Sequence, residues 1–230
     1  FILEESKMFK QIFQLFSSDS LYEQALEECH EMLDIDLTMF KASMYSLRES
    51  DNAEMSINIF KLDKKINRFE RDVRRKIMTH LAISGSKDLG SGLVLVSVVI
   101  DIERIGDYTK NIYEMAINHP TKLVGGSLEK DLLAIEKKVT DVFEGSIIAF
   151  KNQDIPAAQK LMKTYKKKIS NSCDEITHSI VSGKVADLTT DQSASLALYA
   201  RFLKRIGAHS RNLISSVVNP FERLGYSEKE

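Results

Sequence analysis

At 230 residues the chain is long enough for one large domain or for two of about 100 residues each. Its 32 Lys and Arg against 33 Asp and Glu leave a net charge of −1, and no basic block interleaved with aromatic residues stands apart, which argues against nucleic acid as the main ligand. Three prolines, ten glycines and 28% charged residues, with no tryptophan, fit a helical protein better than a sheet protein, and the longest apolar run, Leu93 to Ile100, is too short for a bilayer span of about 20 residues.

Residues 3–17 alternate charge with Met8, Phe9, Ile12, Phe13 and Phe16, which predicts a short amphipathic N-terminal helix or arm. Ser17-Ser18-Asp19-Ser20 is a capping stretch, and after it Leu26, Leu33, Leu37, Phe40, Met44 and Leu47 recur at spacings of three and four, predicting a first long helix. A second is predicted over 51–82 on Met55, Ile59, Leu62, Ile66, Phe69, Val73 and Ile77, and Ser84-Gly85-Ser86 closes it. A third, over 88–117, carries Leu89, Leu93, Val96 and Ile100.

Asn118-His119-Pro120 followed by Gly125-Gly126-Ser127 breaks the pattern in mid-chain and marks the expected domain boundary. Helices are then predicted over 128–151 (Leu128, Leu132, Ile135, Val139, Val142), 154–182 (Ala158, Met162, Tyr165, Ile169, Ile176) and 190–218 (Leu196, Tyr199, Leu203, Ile206, Leu213, Val217). The expected fold is all-α: two tandem antiparallel three-helix bundles, residues 1–120 and 121–230, with six long helices and a short N-terminal one.

The stretch Arg104-Ile105-Gly106-Asp107-Tyr108 returns as Arg205-Ile206-Gly207-Ala208-His209, so one unit is written twice. A glycine inside a helix costs roughly 1 kcal/mol relative to alanine, and keeping it in both copies points to a close approach by another backbone or a ligand. Glu103 and Asp107, one turn apart on one face, become Lys204 and Ala208 in the second copy. Asp63, Asn67 and Glu70 stand at i, i+4 and i+7 beside the apolar stripe of the second helix. If the second and third helices pack side by side, these oxygens converge. Clustered carboxylates raise one another's pKa unless a cation offsets them, and an all-oxygen set suits iron, manganese, magnesium or calcium, with zinc as a further option. The plainer reading is a solvated face paired with Arg104 and Lys110. With Ile66 set against Ile169, the matching second-half residues are Lys166, Ser170 and Cys173, so no equivalent site is expected there.

Asp63-Lys64-Lys65-Ile66-Asn67 with Glu70, then Asp88-Leu89, then Ile102-Glu103-Arg104-Ile105-Gly106-Asp107-Tyr108 with Asn111-Ile112, resemble the PhoU family of phosphate-uptake regulators, over essentially the whole chain. The resemblance implies two tandem three-helix bundles and multinuclear metal sites on Glu/Asp-x-x-x-Asp pairs. Carried over residue by residue, it makes Asp63, Glu70, Glu103 and Asp107 metal ligands, with iron as the first choice and zinc, manganese or magnesium as alternatives. The second half departs from the pattern at every matching carboxylate.

It further implies a cytoplasmic adaptor, not an enzyme, that modulates a phosphate transporter and phosphate-starvation signalling. The implied partners are a phosphate ABC transporter's ATPase subunit or a sensor histidine kinase, with a homodimer as a further option and the membrane reached only through partners. Two lone cysteines, Cys29 and Cys173, suit a reducing compartment. One alternative is the soluble regulatory tail of a sodium/phosphate cotransporter. Another is a di-iron carboxylate oxidase built on Glu27-x-x-His30 and Glu175-x-x-His178, against which stands the position of His178 off its helix's apolar stripe.

Overall fold

A computed structural model describes residues 18–119 and 121–226, and among them lie seven α-helices and no strand. Helix α1 spans Ser18–Arg48 and α2 spans Ile59–Ser84. The second helix thus starts later than the stripe suggests. Asn58 caps it by accepting a hydrogen bond from the Lys61 backbone N at 3.0 Å. The preceding residues form a capped loop instead, in which Ser50 Oγ accepts from the Glu54 backbone N at 2.9 Å and Ala53 adopts φ 50°. Local side-chain bonds of this kind compete with the helix for the same backbone donors.

A short 3₁₀ turn, Gly85–Asp88, leads into α3, Leu89–Asn118. Helix α4 spans Glu129–Asn152. The single helix expected over 154–182 is three pieces: α5, Ile155–Tyr165, a π-helical segment, Lys166–Ser170, and α6, Asn171–Val181. One wide turn shifts the apolar phase too little to be visible in a stripe whose spacings already vary between three and seven. Helix α7, Thr190–Val218, opens on a full capping box in which Thr189 and Gln192 satisfy each other's backbone N–H groups. The short helix expected over 3–17 lies outside the described residues.

Helices α1, α2 and α3 pack on one another, and α4, α5, α6 and α7 do the same, giving the two sets expected of tandem three-helix bundles. The sets meet where α3 lies along α7 and α1 along α4, and one apolar cluster runs through both, with Phe40 edge-on to Phe143 at 6.0 Å. No helix among the described residues is long and apolar enough to cross a membrane.

At the α1–α4 contact a buried charge is fully matched. Arg48 Nε donates to Glu136 Oε1 at 2.8 Å, and its other nitrogens reach Glu129 and the Leu123 carbonyl. Tyr199 OH, from α7, donates to the same Glu136 oxygen at 2.8 Å. Burial pushes the Glu136 carboxyl up, while Arg48 and Tyr199 pull it down. Removing one partner of a buried ion pair leaves the other uncompensated. Arg48→Ala is therefore expected to lower unfolding free energy by about 3 kcal/mol and Tyr199→Phe by about 1 kcal/mol, both read by equilibrium urea denaturation.

Candidate metal centre

The site begins with a close approach. An added Cβ at Gly106 would meet Ile66 Cδ1 at 3.1 Å, and one at Gly92 would meet Leu81 Cδ1 at 3.0 Å. These pairings run α2 and α3 antiparallel and side by side. They set Asp63, Asn67 and Glu70 of α2 across from Glu103, Asp107 and Lys110 of α3. The sequence-derived candidates Asp63, Glu70, Glu103 and Asp107 therefore do come to one groove, and all are part-buried, at 14%, 15%, 13% and 27% side-chain exposure.

Their electrostatics are uneven. Lys110 Nζ donates to Asp63 Oδ1 at 2.9 Å and to Asp107 Oδ1 at 3.3 Å, Arg104 Nη1 donates to Asp107 Oδ2 at 3.1 Å, and Arg74 Nη2 pairs with Glu70 at 2.7 Å. Glu103 has only Arg104 Nε at 3.6 Å. Burial first, and the Asp107 charge second, push its carboxyl up to about 7. As the side chains stand, among the described residues no three His, Cys, Asp or Glu groups are placed to hold an ion together, since Lys110, Arg104 and Arg74 draw the carboxylates toward themselves. The donor set nonetheless fits a hard cation: every group is a carboxylate oxygen, and the Arg104 side chain beside Glu103 is shared with Asp107.

The structure adds a residue that periodicity alone passes over. Asp36 of α1 is 0% exposed, and neither of its carboxylate oxygens has a hydrogen-bond partner. Its Oδ1 lies 2.7 Å from where a Gly106 Cβ would sit. Burial, then the charges of Glu103, Asp63 and Asp107, hold its pKa well above the ordinary carboxylate range. A signal was available, because Asp36 stands three after Leu33 and four before Phe40, in the apolar stripe itself.

The second half repeats the approach without the acids. A Cβ at Gly207 would meet Ile169 Cγ2 at 3.1 Å and Tyr165 Cε2 at 3.2 Å, which upholds the register of Ile66 on Ile169. Lys204 Nζ donates to both oxygens of Asp174, at 2.7 and 2.6 Å, and Cys173 is buried. The two Glu-x-x-His pairs do not build a di-iron centre. His30 is half-buried edge-on to Phe150 at 5.8 Å while Glu27 is 84% exposed, and Glu175 and His178 are exposed on α6.

Glu103 gives the pH dependence a sign. Its folded pKa of about 7 lies above the ordinary 4.5, so between those values the folded state holds a proton that the unfolded state releases. The stability this contributes is present below the unfolded pKa and is lost as pH rises through the folded one. In EDTA, Glu103→Gln is therefore expected to gain stability relative to the parent protein as pH is raised from 4.5 to 7 and beyond. Urea denaturation across that series measures it, and a difference independent of pH would contradict the assignment.

A PhoU domain matches residues 29–116. A "Phosphate-specific transport system accessory protein PhoU homolog" of Synechocystis is 22% identical, aligned over 86% of this chain and 90% of its own. A protein of the same description from Clostridium acetobutylicum is 24% identical, over 86% and 93% respectively. The crystal structure of PhoU from Pseudomonas aeruginosa superposes with a TM-score of 0.73 at 20% identity, over 88% of this chain and 97% of that one. The matched domain lies on the helices that carry Asp63, Glu70, Glu103 and Asp107, and the chain shares the fold of the PhoU crystal structure.

Proposed function

We propose that this chain is a cytoplasmic regulator of phosphate uptake that binds a metal through Asp63, Glu70, Glu103 and Asp107 and acts by protein contact rather than by turnover. The observation that carries the metal reading is the groove: four part-buried carboxylates on two adjacent helices, with Glu103 pushed up to about 7 by burial and by the Asp107 charge. Iron is the first choice, with zinc, manganese and magnesium as alternatives, because hard oxygen donors accept each of them. A bound ion would add positive charge to that of Lys110, Arg104 and Arg74 and would tie α2 to α3 more firmly than Lys110 does.

The regulatory reading is supported by relatives described as phosphate-specific transport system accessory proteins, which align along nine-tenths of their own length. By that likeness the partner is a phosphate transporter component, and the motif resemblance narrows it to the transporter's ATPase subunit or a sensor histidine kinase. Two buried free cysteines, Cys29 and Cys173, support a reducing compartment.

Elemental analysis of protein purified without chelator is expected to find metal that is lost in the Glu103→Ala, Asp107→Ala double variant. Unchanged metal per chain would remove the ligand assignment. Deleting the gene is expected to alter phosphate uptake and starvation signalling, and pull-down is expected to recover a transporter or kinase component. Unchanged uptake and signalling with no such component recovered would remove the regulatory reading while leaving the metal one standing.

A further inference from the structure

The acidic groove between α2 and α3 has a floor, and the floor is a carboxylate from α1. Asp36 is completely buried, and among the described residues it is the one carboxylate with both oxygens buried and unpartnered. Other buried ionisable groups among the described residues have partners. Glu136 has Arg48 and Tyr199, His80 has Asp88 and His209 has Asp101. A lone carboxylate kept inside against its desolvation penalty calls for something to meet it.

Gly106 shows from which side that something comes. With no Cβ at this position, the Asp36 oxygen reaches to 2.7 Å from where one would stand, on the same turn of α3 that carries Glu103 and Asp107. The charges that act on Asp36 are those of Glu103, Asp63 and Asp107, three of the four rim groups. In the second half, where the rim acids are absent, the same gap beside Gly207 is filled by the Tyr165 ring and Ile169. Floor carboxylate and rim carboxylates occur together in one half and are absent together from the other.

We infer that Asp36 is a further ligand of the metal proposed above, so that the site draws on α1, α2 and α3, with Gly106 as the opening through which Asp36 joins the rim. The inference rests on the metal reading and adds to it a residue outside the Glu-x-x-x-Asp pattern. A three-helix site ties α1 to the α2–α3 pair, which a rim-only site does not.

The test uses the full chain and Mn²⁺ as probe, with affinity measured by calorimetry and the melting temperature taken in Mn²⁺ and in EDTA. Asp36→Asn, which keeps the shape and removes the charge, is expected to weaken Mn²⁺ binding about tenfold or more. It is also expected to lose most of the Mn²⁺-induced rise in melting temperature, while melting in EDTA at the parent temperature or above. A merely structural Asp36 would instead lower the EDTA value. Asp36→Ser repeats the measurement if the Asn variant does not fold, and failure of both to fold in EDTA would assign Asp36 to the fold rather than to the ion and overturn the inference. Unchanged affinity in Asp36→Asn, with binding abolished in Glu103→Gln, Asp107→Asn, would overturn it and leave the rim site intact. Absence of Mn²⁺ binding by the parent protein would remove the metal reading itself.

Discussion

Two helices approach only as closely as the side chains between their axes allow, and in each half of this protein one glycine lifts that limit at one place. Ile66 lies where a Gly106 Cβ would come within 3.1 Å, and Ile169 stands at the same 3.1 Å from the Cβ position of Gly207. A helix-interior glycine costs roughly 1 kcal/mol, which the burial of an isoleucine side chain, worth about 1.5–3 kcal/mol, more than offsets. Both isoleucines are at most 1% exposed. Much else is placed by this contact. Only with the helices this close does Lys110 reach Asp63 as well as Asp107, and only then does the Tyr165 hydroxyl come within 3.4 Å of the Lys204 carbonyl.

The shared scaffold holds opposite contents. Beside Gly106 the interior admits a carboxylate oxygen, and beside Gly207 an aromatic ring. On the groove face, Glu103 and Asp107 stand where the second half has Lys204 and Ala208, and Lys204 is neutralised by Asp174, itself 42% exposed. At this position the second half thus carries a matched pair in place of the acids. The first half gathers Asp36, Asp63, Glu103 and Asp107 around one turn of helix, and its own cations leave Glu103 and Asp36 with raised pKa values. Crowded, part-buried carboxylates disfavour their own ionisation, so the two halves differ in the electrostatics they place on one shared scaffold.

Six long helical segments were legible because the apolar stripes, at spacings of three, four and seven residues, are long, and the four rim acids because they flank those stripes at one-turn spacings. What escaped had local causes. The start of α2 is decided by Ser50 and Asn58 side chains that bond to nearby backbone N–H groups, which apolar periodicity does not register. The π segment Lys166–Ser170 adds a wide turn among three consecutive lysines, where no apolar position marks the change of phase. Asp36 escapes for a different reason, since an apolar stripe is defined by its apolar members and a carboxylate among them carries no periodic signal. The meaning of Gly106 was half legible: its position in the repeat announced a close approach, but that the approaching groups are an isoleucine and an aspartate from two different helices is a fact of packing.

Helix α3 is the element that joins the groove to the second half. Glu103 and Asp107 face α2, while Asp101 and Tyr108, two residues before the one and one after the other, face α7. Arg205 Nη2 donates to His209 Nε2 at 3.0 Å, which leaves His209 Nδ1–H to donate to Asp101 at 2.7 Å, and Asn212 donates to the same Asp101 oxygen at 2.9 Å. Arg205 Nε donates to Tyr108 OH at 3.2 Å, and the Tyr108 ring stacks on His209 at 5.8 Å. Hydrogen bonds with these directional requirements do not stretch smoothly, and packed helices shift as units. A rotation or slide of α3 that brought Glu103 and Asp107 onto an ion would therefore have to carry Asp101 and Tyr108 with it, against α7 residues that are themselves tied down. The groove and the seam between the halves consequently share one helix, α3, whose two faces carry the two sets of contacts.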